Sequence, residues 1–191
     1  MLSHIGTRTI ETDRLILRQY KMTDADDMFQ NWVNDREVTH FWGWEPHKSI
    51  EETKSLLRNW IDEYDKMDCY HWVVILKVNS QAIGYIYINE IDCDEQAGAV
   101  HYLVSRGYWN RGIATEACKA VLSFAFMKIR MKKMQTRHHI ENPASGRVMQ
   151  KAGMRPTGIA YKCFPDCESL SGDYAFYEIT KNEWLKINKE L

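Results

Sequence analysis

Apolar positions recur along this chain with two periods, and the places where one period gives way to the other predict its strands and helices. Leu15-Ile16-Leu17-Arg18 is the first apolar run and predicts a strand. Thr23-Asp24-Ala25-Asp26 follows as a helix start with acids in the first turn, continued by Met28, Trp32 and Val33 toward Asn34. Ser49 with Glu52 forms a capping box, after which Ile50, Thr53, Leu56, Leu57, Trp60, Ile61 and Tyr64 mark one helical face. Between these helices, Arg36 to His47 fits neither period and carries Phe41, Trp42, Trp44 and Pro46, an aromatic loop suited to walling a cleft.

Trp72 to Val78, a turn at Asn79-Ser80, and Ala82 to Asn89 predict a β-hairpin, and Ala97 to Val104 a further strand. A helix is expected from about Arg111 or Gly112, because Ala114, Ala117, Cys118, Val121, Leu122, Ala125 and Phe126 keep the helical period. A strand at Lys133 to His138 leads to Asn142 as a cap and Pro143 at the first helical position. That helix should stop at Gly153, with a strand from Met154, a strand from Tyr174 to Ile179, and a terminal helix capped by Thr180 and Glu183. The order β-α-α-β-β-β-α-β-α-β-β-α implies an α/β (α+β) fold on a mixed, mostly antiparallel sheet of about seven strands.

With 191 residues and no low-complexity divider, one domain over 1–191 is expected. A formal net charge of -1 gives no broad basic field, which argues against nucleic acid as a partner. No apolar run is long enough for a membrane span, so a cytoplasmic protein without a membrane partner is expected. Five cysteines lack the paired spacing of a zinc site, and no metal is assigned. Cys118 reads as a small buried hydrophobe, and Cys163 and Cys167 flank a loop where a disulfide has no support from context.

Candidate chemistry concentrates at Tyr108 to Ala117, where small residues run straight into a helix. A helix N-terminus offers unpaired N–H groups and partial positive charge, both suited to a phosphate. Gly112 removes the Cβ where a ligand approaches, Ala114 and Thr115 keep the next positions small, and Arg111 adds charge. Ile113 and Ala114 stand where a Walker A loop needs Lys and Ser/Thr, and a three-glycine dinucleotide pattern is missing. Taken alone, the loop is equally compatible with a closely packed strand-to-helix turn.

Further motifs follow in a fixed order. Trp109-Asn110-Arg111-Gly112-Ile113-Ala114-Thr115-Glu116-Ala117, then Glu141-Asn142-Pro143-Ala144-Ser145, then Lys151-Ala152-Gly153-Met154 resemble the GNAT acyltransferase superfamily, specifically its RimJ/RimL-like branch. Thr12 to Arg18 at the start, and Tyr177 to Thr180 with Glu183-Trp184 at the end, match that branch too, so the resemblance covers nearly the whole chain.

The resemblance implies a GNAT-like sheet whose fourth and fifth strands, here ending near Val104 and at Met134 to His138, splay into a V that admits acetyl-coenzyme A. It places the pyrophosphate on Asn110, Arg111, Gly112, Ile113, Ala114 and Thr115, and the pantetheine on the backbone of Leu103 and Val104 and on Asn142. Two departures stand out. Trp109 replaces a frequent Gln or Arg, and Met149 stands where many members carry a tyrosine general acid.

The implied reaction is acetyl transfer from acetyl-CoA to a primary amine, on a protein N-terminus or a small molecule, directly within a ternary complex. It needs a deprotonated amine, a polarised carbonyl and help for the leaving thiolate. Ser145 is the candidate to hydrogen-bond the sulfur, although a hydroxyl in a helix's first turn also bonds backbone. Glu90, at a strand end, is the candidate base, with His101 as its rival. Acids at Glu90, Asp92, Asp94 and Glu95, and at Asp62, Glu63, Asp65 and Asp68, would draw a cationic amine or simply form solvated faces. A noncatalytic acyl-CoA sensor of the same fold is the alternative, a mononucleotide-binding protein is a third reading, and a homodimer is compatible with the sequence.

Overall fold

The computed structural model describes residues 1–164 and 170–189. Strands β1 (Ile10–Glu11), β2 (Leu15–Arg18), β3 (Tyr70–Leu76), β4 (Gln81–Asp92), β5 (Ala97–Val104), β6 (Lys133–His139), β7 (Arg155–Cys163) and β8 (Gly172–Thr180) form one sheet in the order β1-β2-β3-β4-β5-β6-β8-β7. Among these strands β5 and β6 pair in parallel and the remaining neighbours are antiparallel. The sheet thus has eight strands where seven are expected. The extra one is two residues long, pairing Ile10 with Leu17 and Glu11 with Ile16, too short to show an alternation in sequence.

Helices α1 (Ala25–Met28), α2 (Arg36–Thr39) and α3 (Ile50–Asp62) carry one face of the sheet, and α4 (Ile113–Phe124) and α5 (Pro143–Lys151) the other, with α6 (Lys181–Lys189) last. Each face has its own core. Met28, Trp32, Val33 and Leu57 pack on Val73, Ile75 and Tyr85, while Val121, Leu122, Phe126 and Met149 pack on Leu15, Trp72, Ile86 and Val100. Burying one such aliphatic side chain contributes roughly 1.5–3 kcal/mol. The aromatic loop holds one turn of α2 and a 3₁₀ turn, His40–Trp42, closed by Gly43 at φ 68°.

The caps expected at Ser49, Asn142 and Thr180 form, whereas the helix start expected at Thr23 has no side-chain cap and begins as a 3₁₀ turn at Met22. Asn142 accepts the Ser145 N–H at 3.3 Å, and Glu183 and Thr180 exchange bonds, with Thr180 N–H donating to Glu183 at 2.8 Å. Those bonds, led by that from the Thr180 hydroxyl, with Arg155 assisting, hold the Glu183 carboxyl down at about 2.

One feature of the sheet positions everything that follows. β5 pairs with β6 only from Ala97 to Ala99 against Lys133 to Gln135, and beyond those residues the strands part. This is the expected V, with its closed end at Ala97 and its open end at Val104.

Candidate active site

The open end of the V leads into a cavity of about 400 Å³, lined by Leu103, Val104, Trp109, Asn110, Gly112, Ile113, Ala114 and Thr115 on one wall and by Asn142, Ser145, Arg147 and Lys151 on the other. Gly112 is the N-cap of α4 at φ 75°, in the left-handed region, and Asn110 adopts φ 59°. Both residue types tolerate this backbone, which turns the chain sharply and presents the first N–H groups of a twelve-residue helix to the cavity. Glu116 fastens the loop from behind. Its carboxylate accepts from Thr12 Oγ1 at 2.5 Å and from Arg14 Nε at 2.6 Å, and Arg14 Nη1 donates to the Arg111 carbonyl at 2.9 Å. Burial alone would raise the Glu116 pKa, but the bonds from Thr12 and Arg14 bring it below the ordinary carboxylate value.

The register of β5 decides which backbone groups face the opening. Ser105 N–H bonds Ile83 at 2.8 Å, and Leu103 stands opposite Tyr85, so the N–H and C=O groups of Leu103 and Ser105 point toward β4. Those of Tyr102 and Val104 point the other way, into the V. The expectation that Leu103 offers its backbone is therefore corrected: Leu103 supplies an apolar wall, and Tyr102 and Val104 are the residues with groups on the open side. Trp109 takes up one of these groups, its indole N–H donating to the Val104 carbonyl at 2.6 Å.

On the far side of the V lies a second cavity of about 300 Å³, walled by Phe41, Trp42, Trp44, Tyr87, His101, Arg137, His138, His139 and Met149. Trp42 packs on Tyr85, Tyr87 and His101, and Tyr87 stacks on His101 with ring centroids 5.1 Å apart. The aromatic loop thus forms its wall. Five residues line both cavities: Phe41, Trp42, Tyr102, Asn142 and Ser145.

Glu90 is not part of the wall of this second cavity but pairs with Arg137, which is. A bulge after Asn89 leaves Glu90 at φ 50° and turns its carboxylate across the sheet to Arg137, which it meets at 2.9 and 3.1 Å. The Arg137 guanidinium holds the Glu90 carboxyl below its usual range. A carboxylate so stabilised is a weaker base, which counts against the role expected of Glu90. His101 Nε2 lies 4.0 Å from Glu90, buried without a hydrogen-bond partner, and burial lowers its pKa to about 4. It stays neutral near pH 7.

The remaining expectations sort plainly. Asn110, Gly112, Ile113, Ala114, Thr115, Val104, Asn142 and Ser145 converge on the first cavity. Arg111 stays outside it, with its guanidinium over the Tyr108 ring at 5.5 Å. The two acidic clusters line neither cavity. Asp92 accepts the Asp94 and Glu95 N–H groups, both at 2.9 Å, and Glu63 pairs with Lys66. Cys167 lies outside the described residues, and with it the pairing with Cys163. Among the described residues no three His, Cys, Asp or Glu side chains gather as metal ligands, and no helix is long and apolar enough to cross a membrane.

Sequence reasoning passed over Tyr102, Arg147 and Lys151. Arg147 and Lys151 sit four residues apart on α5, the spacing that puts both on one helical face, and that signal was readable. The first cavity fits coenzyme A by its chemistry: helix N–H groups and two cations for phosphates, and unpaired strand backbone for the amides of pantetheine.

Comparison with known proteins agrees with this geometry. Residues 14–155 match the family model described as the acetyltransferase (GNAT) domain. The chain is 29% identical over 150 residues to the uncharacterized N-acetyltransferase YoaA of Bacillus subtilis (strain 168), covering 78% of this chain and 84% of that one. In fold it is similar to a GNAT-family acetyltransferase from Bacillus anthracis, with a TM-score of 0.79, 24% identity, and coverage of 92% and 99% of the two chains. It is also similar to the microcin C7 self-immunity acetyltransferase MccE, solved with acetyl-CoA and AMP, with a TM-score of 0.75, 15% identity, and coverage of 88% and 93%.

Proposed function

The chain belongs to the GNAT acetyltransferase family and is an acetyl-CoA-dependent N-acetyltransferase, and from that premise we propose that it moves the acetyl group directly onto a primary amine while both substrates occupy the cleft. One observation carries the reading: two cavities, one suited to coenzyme A and one walled by aromatic and polar side chains, meet at the five residues Phe41, Trp42, Tyr102, Asn142 and Ser145. A thioester entering along β5 and an amine entering from the other side come into contact there, which removes the entropic cost of a chance encounter.

The roles divide accordingly. The N–H groups at the start of α4 and the cations Arg147 and Lys151 hold the phosphates. The backbone of Tyr102 and Val104 aligns the pantetheine, and the Val104 N–H polarises the acetyl carbonyl. Asn142, already spent in part on capping α5, borders the reacting centre. Ser145 offers its hydroxyl to the departing sulfur. Glu90, held ionised by Arg137, acts on the acceptor through charge, and the amine proton leaves to solvent. The acceptor is a protein N-terminus or a small-molecule amine, in a cytoplasmic setting, a reading supported by the resemblance of the chain's motifs to the RimJ/RimL-like branch.

Mixing the protein with acetyl-CoA and a panel of amines, then following free thiol, tests the proposal. Thiol release that requires an amine is the expected result. Saturable coenzyme A binding with no amine-dependent release would instead favour an acyl-CoA sensor, the reading to which Met149 lends support because a thioether cannot donate a proton.

A further inference from the structure

Of the five residues common to both cavities, only Tyr102 and Ser145 carry a hydroxyl. They arrive from opposite walls. Ser145 lies in the first turn of α5, and Tyr102 lies on the splayed strand β5 and reaches across the V, its hydroxyl donating to the Ser145 carbonyl oxygen at 2.9 Å. The phenol oxygen therefore rests against the turn of α5 that precedes Met149, at the junction where the acyl group must pass from one cavity to the other.

We propose that Tyr102 is a catalytic residue whose hydroxyl, beside that of Ser145, donates a second hydrogen bond to the coenzyme A sulfur as the carbon–sulfur bond breaks. The inference rests on the acetyl-transfer reading above. In the step it serves, the neutral amine nitrogen forms a bond to the acetyl carbon and the carbon–sulfur electron pair leaves on sulfur. Nitrogen releases one proton and sulfur gains one, so an amide and a neutral thiol result.

Rotation about the Cζ–Oη bond turns the Tyr102 hydrogen away from the Ser145 carbonyl and into the junction of the two cavities without moving the ring. Burial pushes its pKa well above the ordinary phenol value, so the donor stays protonated throughout the working range. A phenol is a weaker acid than a thiol, with reference values of about 10 against about 8.5. Tyr102 accordingly steadies the negative charge on sulfur without surrendering its own proton, and the proton that finally neutralises sulfur is the one released by the amine through solvent. The strand's contribution to leaving-group chemistry thereby stands in for a donor that Met149 cannot be.

The test compares the parent protein, Tyr102→Phe and a variant carrying 3-fluorotyrosine at position 102, measuring single-turnover acetyl transfer and coenzyme A affinity for each. Tyr102→Phe should slow transfer roughly 100- to 1,000-fold, the scale of removing one preorganised donor, while the coenzyme A Kd stays within about twofold. The fluorinated phenol keeps the ring and its contacts but is a stronger donor, so its transfer rate should match or exceed the parent's. A purely structural tie between β5 and α5 would not follow donor strength. An unchanged rate in Tyr102→Phe, or a rate that falls only in step with affinity, overturns the proposal. Where Tyr102→Phe does not fold, a fluorotyrosine rate below the parent's overturns it, because that variant preserves the contacts. If the parent itself releases no thiol with any amine, the acetyl-transfer reading falls and this role falls with it; an active parent with an equally active Tyr102→Phe removes Tyr102 alone.

Discussion

The donor half of the cleft takes half of its lining from one continuous stretch, Tyr102 to Thr115, with the rest from α5 and the aromatic loop, and the phosphate end of that stretch presents backbone and small side chains. The acceptor half draws side chains from the aromatic loop and from β4, β5, β6 and β8, with Trp42, Tyr87, His101, Arg137 and Tyr174 brought together from distant places in the sequence. A phosphate site made of N–H groups depends on local backbone conformation, so a short motif specifies it. A side-chain pocket depends on register and packing across the sheet, so the same backbone can carry different acceptor sites by changing a handful of residues.

The largest expected effect strikes the donor half alone. Gly112→Asp puts a carboxylate at a left-handed position in the cavity wall, with its Cβ 3.5 Å from the Arg14 guanidinium that braces the loop, and should weaken coenzyme A binding at least about 100-fold by titration calorimetry. Gly112→Asn, which tolerates that backbone and adds no charge, should lose much less, about tenfold. Equal losses in both would show that steric exclusion, and not charge, closes the site.

Trp44→Leu reverses the comparison. Trp44 lines the acceptor cavity without touching the donor cavity, so the KM for the amine should rise about tenfold, in the manner of a lost aromatic contact surface, with the coenzyme A Kd within about twofold. A matching loss of coenzyme A affinity would erase the division between the halves. Lys151→Glu should act only on the donor side and more mildly, weakening coenzyme A about fivefold at low salt, with the effect shrinking in high salt because α5 leaves this cation exposed.

The smallest effect near neutrality is on stability. His71 and His101 are buried on the acceptor face of the sheet, and burial lowers their pKa values to about 3 and about 4. In the unfolded chain both take up a proton near 6.5, so the unfolded state binds more protons at lower pH. Stability should therefore be complete above pH 6.5 and decline as pH falls toward 4, by an amount on the order of 3 kcal/mol for His101 once it is fully protonated. His101→Asn should reduce the fall of the melting temperature between pH 6.5 and 4 to the share that His71 leaves; an unaltered slope would show that His101 does not contribute to it.

Most strands and long helices were legible because one face of each is buried. The apolar period of α4 and the capping signals at Ser49, Asn142 and Thr180 appear in the structure where the sequence puts them. The two-residue β1 was not legible, and neither was the turn of α2, since neither is long enough to show a period. In the site, Gly112 and its neighbours were readable from local chemistry. Leu103 was misassigned because the side of a strand that its backbone groups face is set by register with β4, which sequence does not carry. Glu90 was singled out by its position at a strand end, but its pairing with Arg137 arises across three strands and shows only in three dimensions. Tyr102 was missed for the same reason: its meaning comes from the parting of β5 and β6.

The central claim is that donor and acceptor occupy adjoining cavities together and react without an acylated protein between them. Initial rates of thiol release, measured while acetyl-CoA and an accepted amine are varied against one another, test it most directly. Intersecting double-reciprocal lines are the predicted result, whereas parallel lines, with an acetyl group trapped on the protein when the amine is left out, would contradict it.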